Sequence, residues 1–144
     1  MSRRHRGRYR APMQTPSYTL ALEPHPDYLR AHVTGPEDTV EVSIAYWSEI
    51  AAACHAGGVR RLLVVEELAG RAAPSEMAEV VDGLLQLGFR DIVVAYVDAT
   101  EDASLLVAAE IRVQQHGVVG RVFRREDEAV RWLLADRDRP GPAV

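Results

Sequence analysis

The 144-residue chain contains no lysine. That removes the lysine of phosphate-binding loops and of Schiff-base chemistry, and no GxxxxGK[ST], GxGxxG or GxSxG pattern occurs. The single cysteine, Cys54, can form no internal disulfide and has no second thiol to share a metal, so a small buried hydrophobe in a reducing compartment is expected. No apolar run approaches the ~20 residues that cross a bilayer. The basic start leads only into Ala11-Pro-Met-Gln-Thr-Pro-Ser-Tyr18, without the apolar stretch of a secretory signal, and a cytoplasmic location is expected. His5, His25, His32, His55 and His116 are scattered, and neither Ser75 nor Ser104 has a motif-placed histidine. These absences lower the expectation of catalysis, and no cofactor or metal is implied.

What is present is ordinary for a globular domain. With 47% hydrophobic and 26% charged residues, the chain suits one core rather than disorder or a fibre. The net charge of −4 is unevenly spread: five of the 17 basic residues lie in the first ten positions, leaving 12 basic against 21 acidic, or −9, for the rest. An acidic body argues against the folded domain gripping a phosphate backbone. Residues 1–16 read as a disordered arginine-rich tail that could touch nucleic acid or an anionic surface, or as a leader before a true start at Met13. Residues 17–136 read as one α/β domain and 137–144 as a second tail.

Within the domain, Tyr18, Leu20 and Leu22, then Leu29, Ala31 and Val33, alternate with polar or small residues at the period of half-buried strands. The Glu23-Pro-His-Pro-Asp27 link makes them a hairpin. A helix is expected over about 38–56, its apolar face formed by Val40, Ile44, Trp47, Ala51 and Cys54, with Ile50 widening it. The run Leu62–Val65 marks a strand buried on both faces. A second helix from Ser75 to about Leu87, a strand over 91–97, a helix over 102–116, a strand over 118–123 and a helix over 126–136 complete the order β-β-α-β-α-β-α-β-α. Alternating strands and helices imply a mixed, mostly parallel five-stranded sheet.

This order, with Tyr28-Leu-Arg-Ala-His-Val-Thr-Gly35, Trp47-Ser-Glu-Ile-Ala-Ala-Ala-Cys54, Arg60-Arg-Leu-Leu-Val-Val65, Glu110-Ile-Arg-Val-Gln-Gln-His-Gly117 and Glu128-Ala-Val-Arg-Trp-Leu133, resembles the STAS domain in its small stand-alone SpoIIAA-like form. The resemblance covers roughly residues 18–134 and implies a regulatory or ligand-binding module with a protein or small-molecule partner. In the anti-sigma-factor antagonists of that group, a serine or threonine directly after an aspartate is phosphorylated at the start of the second helix. Here that stretch runs from Glu66-Glu67 to Pro74-Ser75 without the acid-serine pair, and Ser75 is the candidate phosphosite, with plain N-capping as its other reading.

In open α/β sheets, ligands bind outside the carboxyl ends of the parallel strands. Those ends carry Glu66 and Glu67, Asp98 and Thr100, and Arg124, the candidate binding edge. Were Glu66 and Asp98 to face each other, one could act as a general acid with a raised pKa, or the two could hold a divalent cation. Three functions are therefore carried forward: a non-enzymatic binding or regulatory module, a phosphorylation-controlled antagonist acting through Ser75, and a small acid-base enzyme using strand-end carboxylates. The edge strand Val118–Phe123 could support a homodimer, although Arg121 at its centre discourages pairing.

Overall fold

The computed structural model describes residues 17–70, 73–100 and 102–135; the two expected tails lie outside the described residues. Strands β1 (Thr19–Pro24) and β2 (Leu29–Gly35) form the hairpin, with Leu20 opposite Val33 and Leu22 opposite Ala31. The following elements are α1 (Val40–Gly57), β3 (Arg61–Leu68), α2 (Pro74–Leu84), β4 (Val93–Val97), α3 (Ala103–Gln115), β5 (Gly120–Phe123) and α4 (Glu126–Ala135). The five strands lie in the order β1-β2-β3-β4-β5, and the sheet is mixed: the β1-β2 pair is antiparallel and the other three pairs run parallel.

Each helical crossover steps to the next strand in one direction. With right-handed connections, that places α1, α2 and α3 together on one face of the sheet. Two separate cores follow. Leu62 and Val64 of β3 pack with Ile50, Cys54 and Val81 on the three-helix side, while Leu63 and Val65 pack with Ala129 and Leu133 of α4 on the other. A strand covered on both faces needs an unbroken apolar run, which is what Leu62–Val65 provides.

Several boundaries differ from expectation for local reasons. α1 begins at Val40 because Thr39 caps it, its hydroxyl accepting the Val42 N–H at 3.1 Å. Its buried face comprises Val42, Ser43, Tyr46, Trp47, Ile50, Ala51 and Cys54, whereas Val40 and Ile44 are only partly covered. Ile44 is turned toward α2, where Gly83 leaves the space its methyl occupies. α2 stops at Leu84 in tight turns, Gln86 N–H donating to Gly83 O and Leu87 N–H to Leu84 O. The strand expected from 91 begins at Val93, after Ile92 N–H closes a turn onto Phe89 O. β5 begins at Gly120, because Val118 N–H still serves the end of α3 by donating to Val113 O at 3.0 Å.

The free edge of β5 is occupied by the protein itself. Residues 119 and 123 offer their carbonyls to β4, so Gly120 and Val122 turn their peptide groups outward. The Glu110 carboxylate accepts the Val122 N–H at 2.8 Å and Gln114 Nε2 donates to Gly120 O at 3.0 Å. Two side chains of α3 thus stand where another strand would pair, a stronger block than Arg121 supplies. Glu110→Ala is expected to speed hydrogen exchange of the Val122 amide about tenfold or more, the effect of losing a charged acceptor. The Val94 amide, bonded to Val119 O within the sheet, should be unaffected; equal rates at Val122 would refute the cap.

Candidate functional site

The carboxyl ends of β2, β3 and β4 converge beside α1. Ala69 N–H donates to Gly35 O at 3.2 Å, which draws the two loops together and brings Asp38, just before α1, toward the end of β3. Side-chain alternation then sorts the acids. Glu66 shares the parity of Leu62 and Val64 and points under the three helices, only 4% exposed. Glu67 points to the opposite face, exposed, and pairs with His32 of β2. The two adjacent glutamates therefore belong to different surfaces.

Asp98 follows β4 on the Glu66 side and is 3% exposed. It is held by its neighbours: the N–H and hydroxyl of Thr100 donate to Oδ1 at 3.0 and 3.1 Å, and Tyr96 Oη donates to Oδ2 at 3.5 Å. Tyr46 of α1 is hydrogen-bonded to Tyr96, extending the polar chain into the helix layer. Glu66 lies within hydrogen-bond reach of Asp98 and accepts the Leu68 N–H at 3.4 Å. Burial first, and then the negative charges of Asp98 and Asp38, push the Glu66 carboxyl up to about 9. At neutral pH Glu66 keeps its proton and is a hydrogen-bond donor.

These groups line one cavity. α2 packs against α1 and α3 and roofs a space of about 90 Å³ above the sheet. Its walls are chiefly apolar: Trp47, Met77, Val81, Phe89, Val94 and Leu106 among others, with Asp38, Glu66 and Asp98 at the strand-end side. Trp47 stacks on Tyr96 at 5.9 Å and meets Phe89 edge-on at 5.5 Å, so the aromatic wall is fixed by its own packing.

The remaining sequence candidates fall elsewhere. Thr100 is exposed and acts through Asp98 rather than facing the cavity. Arg124 is exposed beyond β5. Ser75 is exposed at the second position of α2 and is not its cap: Ala73 holds that place, its N–H bonded to the Glu76 carboxylate at 2.9 Å. Cys54 is buried in the core, and burial pushes its thiol up to about 11. Asp38, Tyr46 and Trp47 join the site from the first helix and its start, and Tyr96 from the strand expected over 91–97; the sequence marks Trp47 as apolar helix face and none of the four as a site candidate. Among the described residues, no group of three or more His, Cys, Asp or Glu side chains is placed to hold a metal ion, and no helix is long and apolar enough to cross a membrane. No protein-family model matches the chain, and comparison with curated proteins finds no significant match.

Proposed function

We propose that this domain is a non-enzymatic binding or regulatory module of STAS-like fold, and that its ligand is a small molecule seating an apolar end beneath α2. The observation that carries this reading is the cavity itself, apolar-walled and placed at the carboxyl ends of parallel strands. Its volume of about 90 Å³ exceeds what a single water needs, and a dry 150 Å³ cavity accommodates benzene, so the space suits a chain of about four carbon atoms. The resemblance in element order and in the flanking motifs points the same way.

The test is an NMR titration of the protein with n-butanol. Shifts are expected at Val81, Leu106 and other lining residues, and Ala109→Leu, which fills the cavity from α3, should abolish them. Absence of shifts in the wild type, or the same shifts in Ala109→Leu, would sink the proposal. A second reading draws on Glu66: a buried carboxyl that keeps its proton at neutral pH in a largely apolar cavity is suited to general-acid chemistry, donating that proton to a bound ligand. That reading requires turnover that Glu66→Gln eliminates.

A further inference from the structure

We propose that two copies of this chain associate through β1, the strand of one copy lying antiparallel beside that of the other, with Ala21 facing the partner's Ala21 on the two-fold axis.

The peptide groups of β1 decide which residues are offered. Gly35 gives its carbonyl to the Ala69 N–H at the end of β3. Peptide groups alternate along a strand, so the odd-numbered residues of β2 serve β3 and the even-numbered ones serve β1. By the register of the hairpin, Thr19, Ala21 and Glu23 bond to β2, while Leu20 and Leu22 turn N–H and C=O outward. Among the described residues β2 is the only strand beside β1, and no side chain caps this edge as Glu110 and Gln114 cap β5. Edge strands are ordinarily blunted by charge, proline or a bulge. Here Glu23 and Pro24 stand at one end, and the Leu20-Ala-Leu22 centre carries no such guard.

The edge is complementary to itself. With Ala21 on the axis, each Leu20 exchanges both hydrogen bonds with the partner's Leu22, which satisfies every outward N–H and C=O at the strand centre. Moving the axis to Leu22 would set Leu20 against the partner's Pro24, which has no N–H to give. Moving it to Leu20 would set Leu22 against the partner's Tyr18, which precedes the strand. The side chains agree. Leu20 joins the core under the three helices, so Ala21 lies exposed on the opposite face, a small residue where a non-hydrogen-bonded pair brings side chains closest. Glu23 falls opposite the partner's Thr19 rather than a like charge, and already holds Arg30 Nη1 at 3.3 Å. On the three-helix side, half-buried Leu22 meets the partner's Leu20 and loses part of its remaining contact with water. The pairing expected at Val118–Phe123 thus passes to the other side of the sheet.

Cysteine pairing reads this register directly, because Cys54 is buried and the chain has no other thiol. Ala21→Cys is expected to form disulfide-linked dimers under mild oxidation. Thr19→Cys and Glu23→Cys should each stay unlinked alone but join when mixed. Sedimentation equilibrium of the unaltered chain should show a dimer. Ala21→Glu, a change at an exposed position that sets two carboxylates face to face, should abolish it, and amide exchange at Leu20 and Leu22 should be severalfold slower in the unaltered dimer than in this variant. A chain that stays monomeric at every concentration, Thr19→Cys linking to itself as readily as Ala21→Cys, or a dimer untouched by Ala21→Glu overturns the proposal. So does protection of the Leu20 and Leu22 amides in a monomer, which would assign the edge to residues 1–16 of the same chain.

Discussion

Glu66→Gln is expected to stabilise the protein, by a margin that widens as pH rises from 5 to 8. The folded-state carboxyl, pushed up to about 9 from an ordinary 4.5, holds a proton that the unfolded chain releases throughout that interval. The native state therefore binds more protons than the unfolded one, and stability falls with pH by about 1.4 kcal/mol per unit for this one group. Its contribution is fully present below pH 4.5 and is lost progressively toward pH 9. Glutamine carries no titrating proton and can still donate to Asp98. Denaturation curves of both proteins should nearly coincide near pH 5 and separate by about 2–3 kcal/mol at pH 8, after allowance for partial relaxation of the buried site. The opposite trend at acid pH, where Arg30 holds the Glu126 carboxyl below its ordinary value, is common to both proteins and cancels in the difference. Parallel pH profiles would contradict the placement of a protonated Glu66.

The second large effect belongs to the other face of the sheet. Among the described residues α4 is the one helix covering Leu63, Val65, Ala95 and Val97, and Leu133 is its fully buried anchor at 0% exposure. Leu133→Ala removes the buried isopropyl group and leaves a cavity beneath α4, so a loss of about 3–4 kcal/mol is expected from urea denaturation. Ile111→Ala on α3 is the control: its side chain is 48% exposed, and a change within about 0.5 kcal/mol is expected. A Leu133→Ala loss near that of Ile111→Ala would mean that α4 contributes little to the fold. Arg30 gives α4 a second attachment, its guanidinium forking onto Glu126 at 2.7 and 3.1 Å.

The element order, the hairpin and the double-sided burial of Leu62–Val65 were legible because each leaves a local periodic trace. The partner relations of the site were legible only in outline. Period-two alternation requires Glu66 and Glu67 to part, yet nothing local says which of them faces the three helices; that depends on the direction of the crossovers. The approach of Asp38 depends on the Ala69–Gly35 contact between two loops, 34 residues apart in the chain. The buried face of α1 departs from its sequence pattern because a helix with apolar residues on several sides serves two neighbours, and Ile44 answers to α2 through Gly83 rather than to the sheet. The capping reading of Ser75 fell to Pro74, which favours the first helical position and moved the cap to Ala73.

The occupation of β5 by Glu110 and Gln114 also bears on how copies of this chain can combine. A sheet that accepts strands at both margins can be extended without limit, one molecule after another. Here one margin is already closed from within, so among the described residues β1 is the edge left for strand addition. Two molecules joined there would each present a closed margin outward, and growth would stop at a pair.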